Sequence, residues 1–271
     1  MEMTTTLQNK ALERMRANQL ALGITLRQAR TVETVGAMAA CGFDWIFLDL
    51  EHSTMPLDTA AQLSYAAQKS GITPIVRVPI MDVRSAARIL DNGAMGIIMP
   101  RVETVEQARE IASSLRYPPK GHRGIVGTLP HFDFKPPAIG EATRQMDQST
   151  LIIAMIETPK AVANVESLAA VEGIDVLLVG GSDLTLEMGI PGQFDNREFR
   201  DAVSKVAEAA KRNGKFSGLG GVYEPKMLST FLDYGVRFIV SGADISFMLS
   251  GAQERAGFLR GLEANLGGGA A

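Results

Sequence analysis

Eight short apolar runs, each followed by a stretch of helical character, constrain this chain more than any other feature. They are Ala21–Leu26, Trp45–Leu50, Pro74–Val78, Gly96–Met99, Leu151–Ile156, Val176–Val179, Phe216–Gly218 and Phe238–Val240. Strands that alternate with helices pair in parallel through right-handed crossovers, because each strand must start again from the same end of the sheet. Eight such units close on themselves. The expected fold is a single-domain TIM (β/α)8 barrel over residues 1–271, an ordinary length for that architecture. Two smaller domains would fit the length equally well, but no linker, tandem repeat or extended low-complexity segment divides the chain.

The segments between the runs carry the matching pattern. Pro56–Ser70 places Leu57, Ala60, Leu63 and Ala67 on one helical face, and Asn196–Asn213 repeats Phe199, Val203, Val206 and Ala210 at the same spacing. Several segments end in glycine (Gly71, Gly93, Gly173, Gly214), where a helix C-terminus favours a residue that enters the left-handed region freely. Two stretches break the rhythm. Tyr117–Ser149 is longer and richer in turn residues than an ordinary connection, which suits a functional or subunit-contact loop as well as a plain surface excursion. A short helix is expected before the first run, and the Gly/Ala-rich tail Leu266–Ala271 is expected to fray.

Charge and composition exclude several kinds of partner. Lys+Arg 27 against Asp+Glu 30 gives a net charge of −3, which offers no basic footprint for nucleic acid or an anionic membrane. No apolar run approaches the roughly 20 residues needed to span a bilayer. The N-terminal segment lacks the apolar core of a secretory signal, so a cytoplasmic location is expected. The single cysteine, Cys41, forms no intrachain disulfide and has no neighbour that would stabilise a thiolate. A small molecule is the expected partner.

In such a barrel the chemistry gathers at the C-terminal ends of the strands. The second run ends Asp49-Leu50-Glu51-His52, and the two-residue strand period puts Asp49 and Glu51 on one face with His52 just beyond. The third run carries Arg77 among β-branched residues, where a guanidinium needs an anionic partner. Run five ends in Glu157, and run six ends in Gly180-Gly181-Ser182-Asp183. Adjacent strands lie roughly 5 Å apart, so these two carboxylates suit one hard divalent ion such as Mg2+ or Mn2+, whereas three histidines in all make a His-rich zinc site improbable. Structural alternatives stand beside each residue. Asp49 and Glu51 would also serve as ion-pair partners of Arg77, Asp183 as a helix N-cap, and His52, His122 and His131 as loop histidines. Asp91 reads locally as part of a helix-ending turn. Ser217-Gly218-Leu219-Gly220-Gly221 suits tight backbone turning better than phosphate binding, since no cationic signal follows it.

The order and spacing of these pieces resemble the HpcH/HpaI aldolase family of metal-dependent pyruvate aldolases. The resemblance runs over roughly residues 7 to 255. It is carried by Gly42-Phe43-Asp44-Trp45 leading to Asp49-Leu50-Glu51-His52, by Val76-Arg77, and by Arg116-Tyr117-Pro118-Pro119 with Gly121-His122-Arg123-Gly124. Ile156-Glu157-Thr158 and Gly180-Gly181-Ser182-Asp183-Leu184 complete it. The resemblance implies that His52 is the general base, that Arg77 binds the pyruvate carbonyl region, and that Asp91 raises the basicity of His52. It implies that Glu157 and Asp183 hold a divalent ion (Mg2+, Mn2+ or Co2+) and that the Ser182 backbone amide helps hold the pyruvate carboxylate. It also implies a hexamer in which the last helix is exchanged between neighbours. Two positions depart from the family pattern: Met155 stands where Gln is usual, inward beside Glu157 and against the substrate, and Leu50 where Gly is common.

The implied reaction is reversible cleavage of a 4-hydroxy-2-oxo acid to pyruvate, or a close 2-oxo acid, and an aldehyde. Another metal–enolate lyase of acyl-CoA type, or a 2-oxo-acid-binding barrel with impaired turnover, remains open. A Schiff-base mechanism is disfavoured because no run contains lysine, with Lys160 the one near a strand end. Arg27 after the first run and Arg123 in the long loop are candidates for recognising a distal carboxylate.

Overall fold

A computed structural model describes residues 7–266; of the tail expected to fray, Leu266–Ala271, Leu266 ends the last helix and residues 267–271 lie outside the described residues. The eight strands are β1 (Ala21–Leu26), β2 (Trp45–Asp49), β3 (Thr73–Arg77), β4 (Gly96–Met99), β5 (Leu151–Ile156), β6 (Val176–Gly180), β7 (Phe216–Gly220) and β8 (Phe238–Ala243). All pair in parallel with their sequence neighbours, and β8 pairs with β1 to close the ring. The expected TIM-type barrel is what the chain forms, and each predicted run lies on a strand within a few residues.

Strand alternation divides the apolar residues into two bodies. Outward residues such as Ile46, Leu48, Val76, Ile97, Ile152 and Leu177 pack against the surrounding helices. Inward residues such as Trp45, Phe47, Ile75, Ile98, Ile153, Leu178 and Phe238 fill the barrel. The helix Lys10–Arg16 closes the floor with Ala11, Leu12 and Met15, and Asn9 ties it down by donating to the carbonyls of Met95 and Ser149 at 3.2 and 2.7 Å. The order along one strand decides what sits at each level. On β2 the inward sequence is Trp45, Phe47, Asp49, so the interior passes from an aromatic floor to a charged mouth.

Trp45 fixes that floor. It is wholly buried, stacks on Phe238 with ring centroids 4.1 Å apart, and donates from Nε1 to the Ala21 carbonyl. The indole covers Gly23 on the paired strand, where an added Cβ would lie 2.0 Å from Trp45 Cε2. Substituting Gly23→Ala should therefore destabilise the protein by about 3 kcal/mol. An unchanged urea midpoint would show that the floor can repack.

The long connection after the helix Val105–Leu115 sits at the N-terminal end of the barrel, because it leads into the start of β5. It contains a 3-10 turn (Pro130–Phe132) and the helix Ile139–Ser149, and it buries its own small core of Tyr117, Leu129, Phe132, Ala142 and Met146. His131 is 8% exposed, with Nε2 against the Ala94 carbonyl at 3.0 Å. Burial pushes its imidazole down to about 4; the Ala94 contact opposes this and the Arg123 charge adds to it. The unfolded chain, with an ordinary histidine near 6.5, binds the proton first. Stability from this group is therefore complete above pH 6.5 and falls as the pH drops towards 4, by about 3 kcal/mol in all. In His131→Gln the loss of unfolding free energy between pH 7 and pH 4.5 should shrink by about 2 kcal/mol relative to the unsubstituted chain, as measured by urea titration at the two pH values.

Candidate active site

The mouth is organised by the carboxylate of Asp49, the last residue of β2, which is fully buried. Its Oδ1 accepts from Arg77 Nε at 3.0 Å and from the backbone N–H groups of Glu51 and His52 at 3.1 and 3.2 Å. Its Oδ2 accepts from Arg77 Nη2 at 2.8 Å and Arg27 Nε at 3.0 Å. Burial alone would raise the Asp49 pKa. The hydrogen bonds and charge of Arg77, the His52 N–H and the Arg27 charge outweigh it, and the carboxyl is held below its usual range. Asp49 is thus the ion-pair partner of Arg77 that the sequence allowed, and it also holds the backbone that carries His52.

Arg77, at the end of β3 and 4% exposed, also approaches Glu51 Oε2 with Nη1 at 3.1 Å and lies over the Phe47 ring at 5.1 Å. A guanidinium has five N–H donors, so donors on Arg77 remain for a ligand. His52 is half exposed, with Nε2 3.8 Å from Glu51 Oε2. Met155, almost fully buried on β5, meets Arg77 Nη1 through its sulfur at 3.9 Å.

Across the mouth from β1 and β2 stand Glu157 and Asp183. Glu157 is 3% exposed and accepts the backbone N–H of Arg101 at 2.7 Å. Arg101 adopts φ of 50° to aim that N–H, a left-handed position that sequence reading passed over. Burial pushes the Glu157 carboxyl up to about 7, against the Arg101 N–H and with the added repulsion of Asp183 and Glu51. Glu51 is likewise raised, by burial first, with Arg77 and His52 opposing. Among the described residues neither Glu157 nor Asp183 forms an ion pair. Asp183 lies in the first turn of the helix Gly181–Glu187, whose N-cap is Gly180, so it is not the N-cap that local sequence allowed. Ser182 opens the same turn and is exposed.

Glycines make room for these groups. A Cβ at Gly180 would lie 2.9 Å from Glu157 Oε2 and 3.0 Å from Met155 Cε. Gly221, with φ of +85°, leaves the space beside Ser182 open, since a Cβ there would sit 2.8 Å from Ser182 Oγ. The glycines of Ser217–Gly221 thus serve close packing, as their turn-rich reading suggested; a Cβ at Gly218 would lie 2.8 Å from the Phe238 carbonyl.

Two carboxylates without ion-pair partners, Glu157 buried and Asp183 partly exposed, beside glycines that leave them room, fit a hard divalent cation. Among the described residues no group of three or more His, Cys, Asp or Glu side chains converges on a metal position, so Glu157 and Asp183 would supply two oxygen-bearing groups and leave the other positions to substrate and water.

Two expectations change within a single chain. Asp91 ends the helix Val83–Asp91, which returns from the C-terminal end of β3 to the N-terminal end of β4, so within one chain it lies at the opposite end of the barrel from His52. There it accepts from Arg123 Nη2 at 2.7 Å. Arg123 is buried against the Tyr117 ring at that same end, so within one chain it lies away from this mouth. Lys160 is exposed and pairs with Glu103 at 3.1 Å, outside the barrel interior, which further disfavours a Schiff base. Cys41, exposed at the end of the helix Val32–Ala40, is also remote from the site.

A closed ring of eight parallel strands with charged side chains gathered at their C-terminal ends belongs to the class of TIM-type α/β barrels. The HpcH/HpaI aldolase/citrate lyase family model matches residues 25–250, and the chain belongs to that family. It is 36% identical over 248 residues to a 4-hydroxy-4-methyl-2-oxoglutarate aldolase of Chaetomium globosum, covering 90% of this chain and 92% of that protein. It is 32% identical over 256 residues to a 5-keto-4-deoxy-D-glucarate aldolase of Klebsiella pneumoniae, covering 92% and 95%. The solved HpcH/HpaI aldolase of Desulfitobacterium hafniense superposes with a TM-score of 0.88 at 27% identity, covering 93% of this chain and 97% of that one.

The uncompensated charge of Glu157 has a measurable cost. Without divalent ions and above pH 7, Glu157→Gln should raise the unfolding free energy by about 2 kcal/mol, because ionised Glu157 is buried with a single N–H donor. The advantage should vanish below pH 4.5, where the carboxyl is protonated in both states. Urea titrations with chelator at pH 8 and pH 4 test both signs.

Proposed function

We propose that the chain is a divalent-metal-dependent aldolase that reversibly cleaves a 4-hydroxy-2-oxo acid to pyruvate, or a close 2-oxo acid, and an aldehyde or ketone. The observation that carries this reading is the unpaired carboxylates Glu157 and Asp183 facing a buried Arg77 with donors to spare. The aldolase names of the related proteins support the same reaction.

Glu157 and Asp183 would hold Mg2+, Mn2+ or Co2+, which when bound supplies Lewis acidity towards the 2-oxo acid. The residues of the chain do the rest. Arg77, locked by Asp49, directs its free N–H groups at the 2-oxo oxygen, where negative charge develops as the C3–C4 bond breaks. His52 takes the proton of the C4 hydroxyl, and Asp49 orients the segment that carries it. The Ser182 N–H, kept open by Gly221, donates to the carboxylate of the 2-oxo acid. Met155 borders that acid with a thioether and makes no strong hydrogen bond to it.

We also propose a homo-oligomer, a hexamer by family resemblance. The helix Asp244–Leu266 exposes Phe247, Met248, Leu249, Phe258, Leu259 and Leu262, an apolar face that another copy would cover. Asp91 can serve His52 only across such a boundary, since the two occupy opposite ends of one barrel. A soluble cytoplasmic enzyme accords with these features; no described helix is long and apolar enough to cross a membrane.

The direct test is deuterium exchange into the methyl group of pyruvate, followed by NMR with and without divalent ions. Exchange should require the ion and fall at least 100-fold in Arg77→Ala. An exchange rate indifferent to metal would refute the reading. For the subunit boundary, His52→Ala and Asp91→Asn should each lose retro-aldol activity, and mixing the two variants under subunit exchange should restore part of it. Absence of complementation in a mixed oligomer would place Asp91 outside the active site.

A further inference from the structure

Arg27, just beyond the end of β1, is held firmly while the outer edge of its guanidinium is left unused. Its backbone N–H and those of Gln28 and Ala29 all donate to Asp244 Oδ2, at 3.2, 2.9 and 2.7 Å. Its Nε donates to the buried Asp49 at 3.0 Å. The side chain is 41% exposed, and among the described residues its two Nη groups make no hydrogen bond. An arginine anchored through Nε presents the two parallel N–H groups of its Nη edge, a geometry that matches a carboxylate bidentately.

Two other cations at this end are neutralised: Arg101 pairs with Glu187 at 2.9 Å and Lys160 with Glu103 at 3.1 Å. Arg77 is buried and gripped twice by Asp49.

The place of Arg27 in the ring gives its free edge a purpose. β1 stands directly opposite β5 in the closed barrel and beside β2. A ligand whose 2-oxo-acid half lies against Glu157, Asp183 and Arg77 therefore passes His52 at the end of β2 and finishes at β1. We propose that Arg27 binds a second carboxylate at the end of the substrate remote from the 2-oxo acid, so that the chain selects 4-hydroxy-2-oxo diacids over the corresponding monoacids. This rests on the aldolase reading and adds to it the residue that discriminates among substrates.

The test compares kcat/KM for two 4-hydroxy-2-oxo acids of equal length, one ending in carboxylate and the other in methyl, on the full-length chain with Mn2+. The diacid should be preferred by about 10- to 100-fold, the range of a charge-assisted contact at a half-exposed site. Arg27→Met should collapse that ratio towards one, chiefly through the KM of the diacid, and Arg27→Lys should retain part of it. Because Arg27 also pairs with Asp49, absolute rates fall for both substrates in Arg27→Met, and the ratio is the readout. A ratio near one in the unsubstituted protein, or a preference that survives Arg27→Met, overturns the proposal. Absence of metal-dependent deuterium exchange in the unsubstituted protein would instead overturn the aldolase reading, and this proposal with it.

Discussion

One buried anion sets the geometry of the mouth. Asp49 accepts from two arginines and two backbone N–H groups, and those bonds keep it ionised despite full burial. Its role follows from that saturation. A carboxylate with its lone pairs occupied and its pKa depressed is a poor proton acceptor, so Asp49 works through what it orients: the Arg77 guanidinium, the Arg27 stem and the turn that carries His52. Glu157 shows the opposite balance. It is comparably buried but receives one N–H, and repulsion from Asp183 and Glu51 adds to its desolvation. The same mouth thus contains a carboxylate compensated by two arginines and one that is not, and under the proposed function the second is where an added divalent cation would be stabilised.

The strand period lets both exist above an apolar floor. Inward positions alternate with outward ones along every strand, so the height of a residue in the barrel is its order along the strand. Trp45 and Phe47 take the lower levels of β2, and Ile153 and Met155 precede Glu157 along β5. The floor needs bulk and the mouth needs room, which explains why glycine occurs where it does. Gly23 yields to the Trp45 indole below, while Gly180 and Gly221 clear the space around Glu157 and Ser182 above.

The strands were legible because each is a short apolar run and most follow a helix-ending glycine, and the strand-end rule then picked out Asp49, Glu51, His52, Arg77, Glu157 and Asp183 without knowledge of any contact. What stayed hidden depends on partners distant in sequence. The Asp244 carboxylate that pins Arg27, Gln28 and Ala29 lies more than 200 residues away. The left-handed Arg101, whose N–H meets Glu157, leaves no mark on composition, since the position carries no glycine or asparagine to signal it. Arg27 and Arg123 looked alike in sequence, and only the end of the barrel at which each loop emerges separates them. The local reading of Asp91 as a helix end is sound, because it does end a helix and one chain gives it Arg123 for a partner, so its implied role toward His52 depends on a second copy.

Met155 connects these observations. An amide at this position would accept a full hydrogen bond from Arg77, whereas a thioether at 3.9 Å takes little from it. The Arg77 donors consequently stay available, and the wall of the pocket beside Glu157 becomes apolar and adaptable. Such a wall imposes few polar demands on the part of the ligand it touches, because a flexible apolar side chain tolerates small changes in shape. Under the proposed function, discrimination that is weak on the β5 side would come from groups with fixed direction elsewhere in the mouth. A guanidinium whose backbone and Nε are both anchored is such a group, and β1, facing β5 across the ring, is where the chain has one.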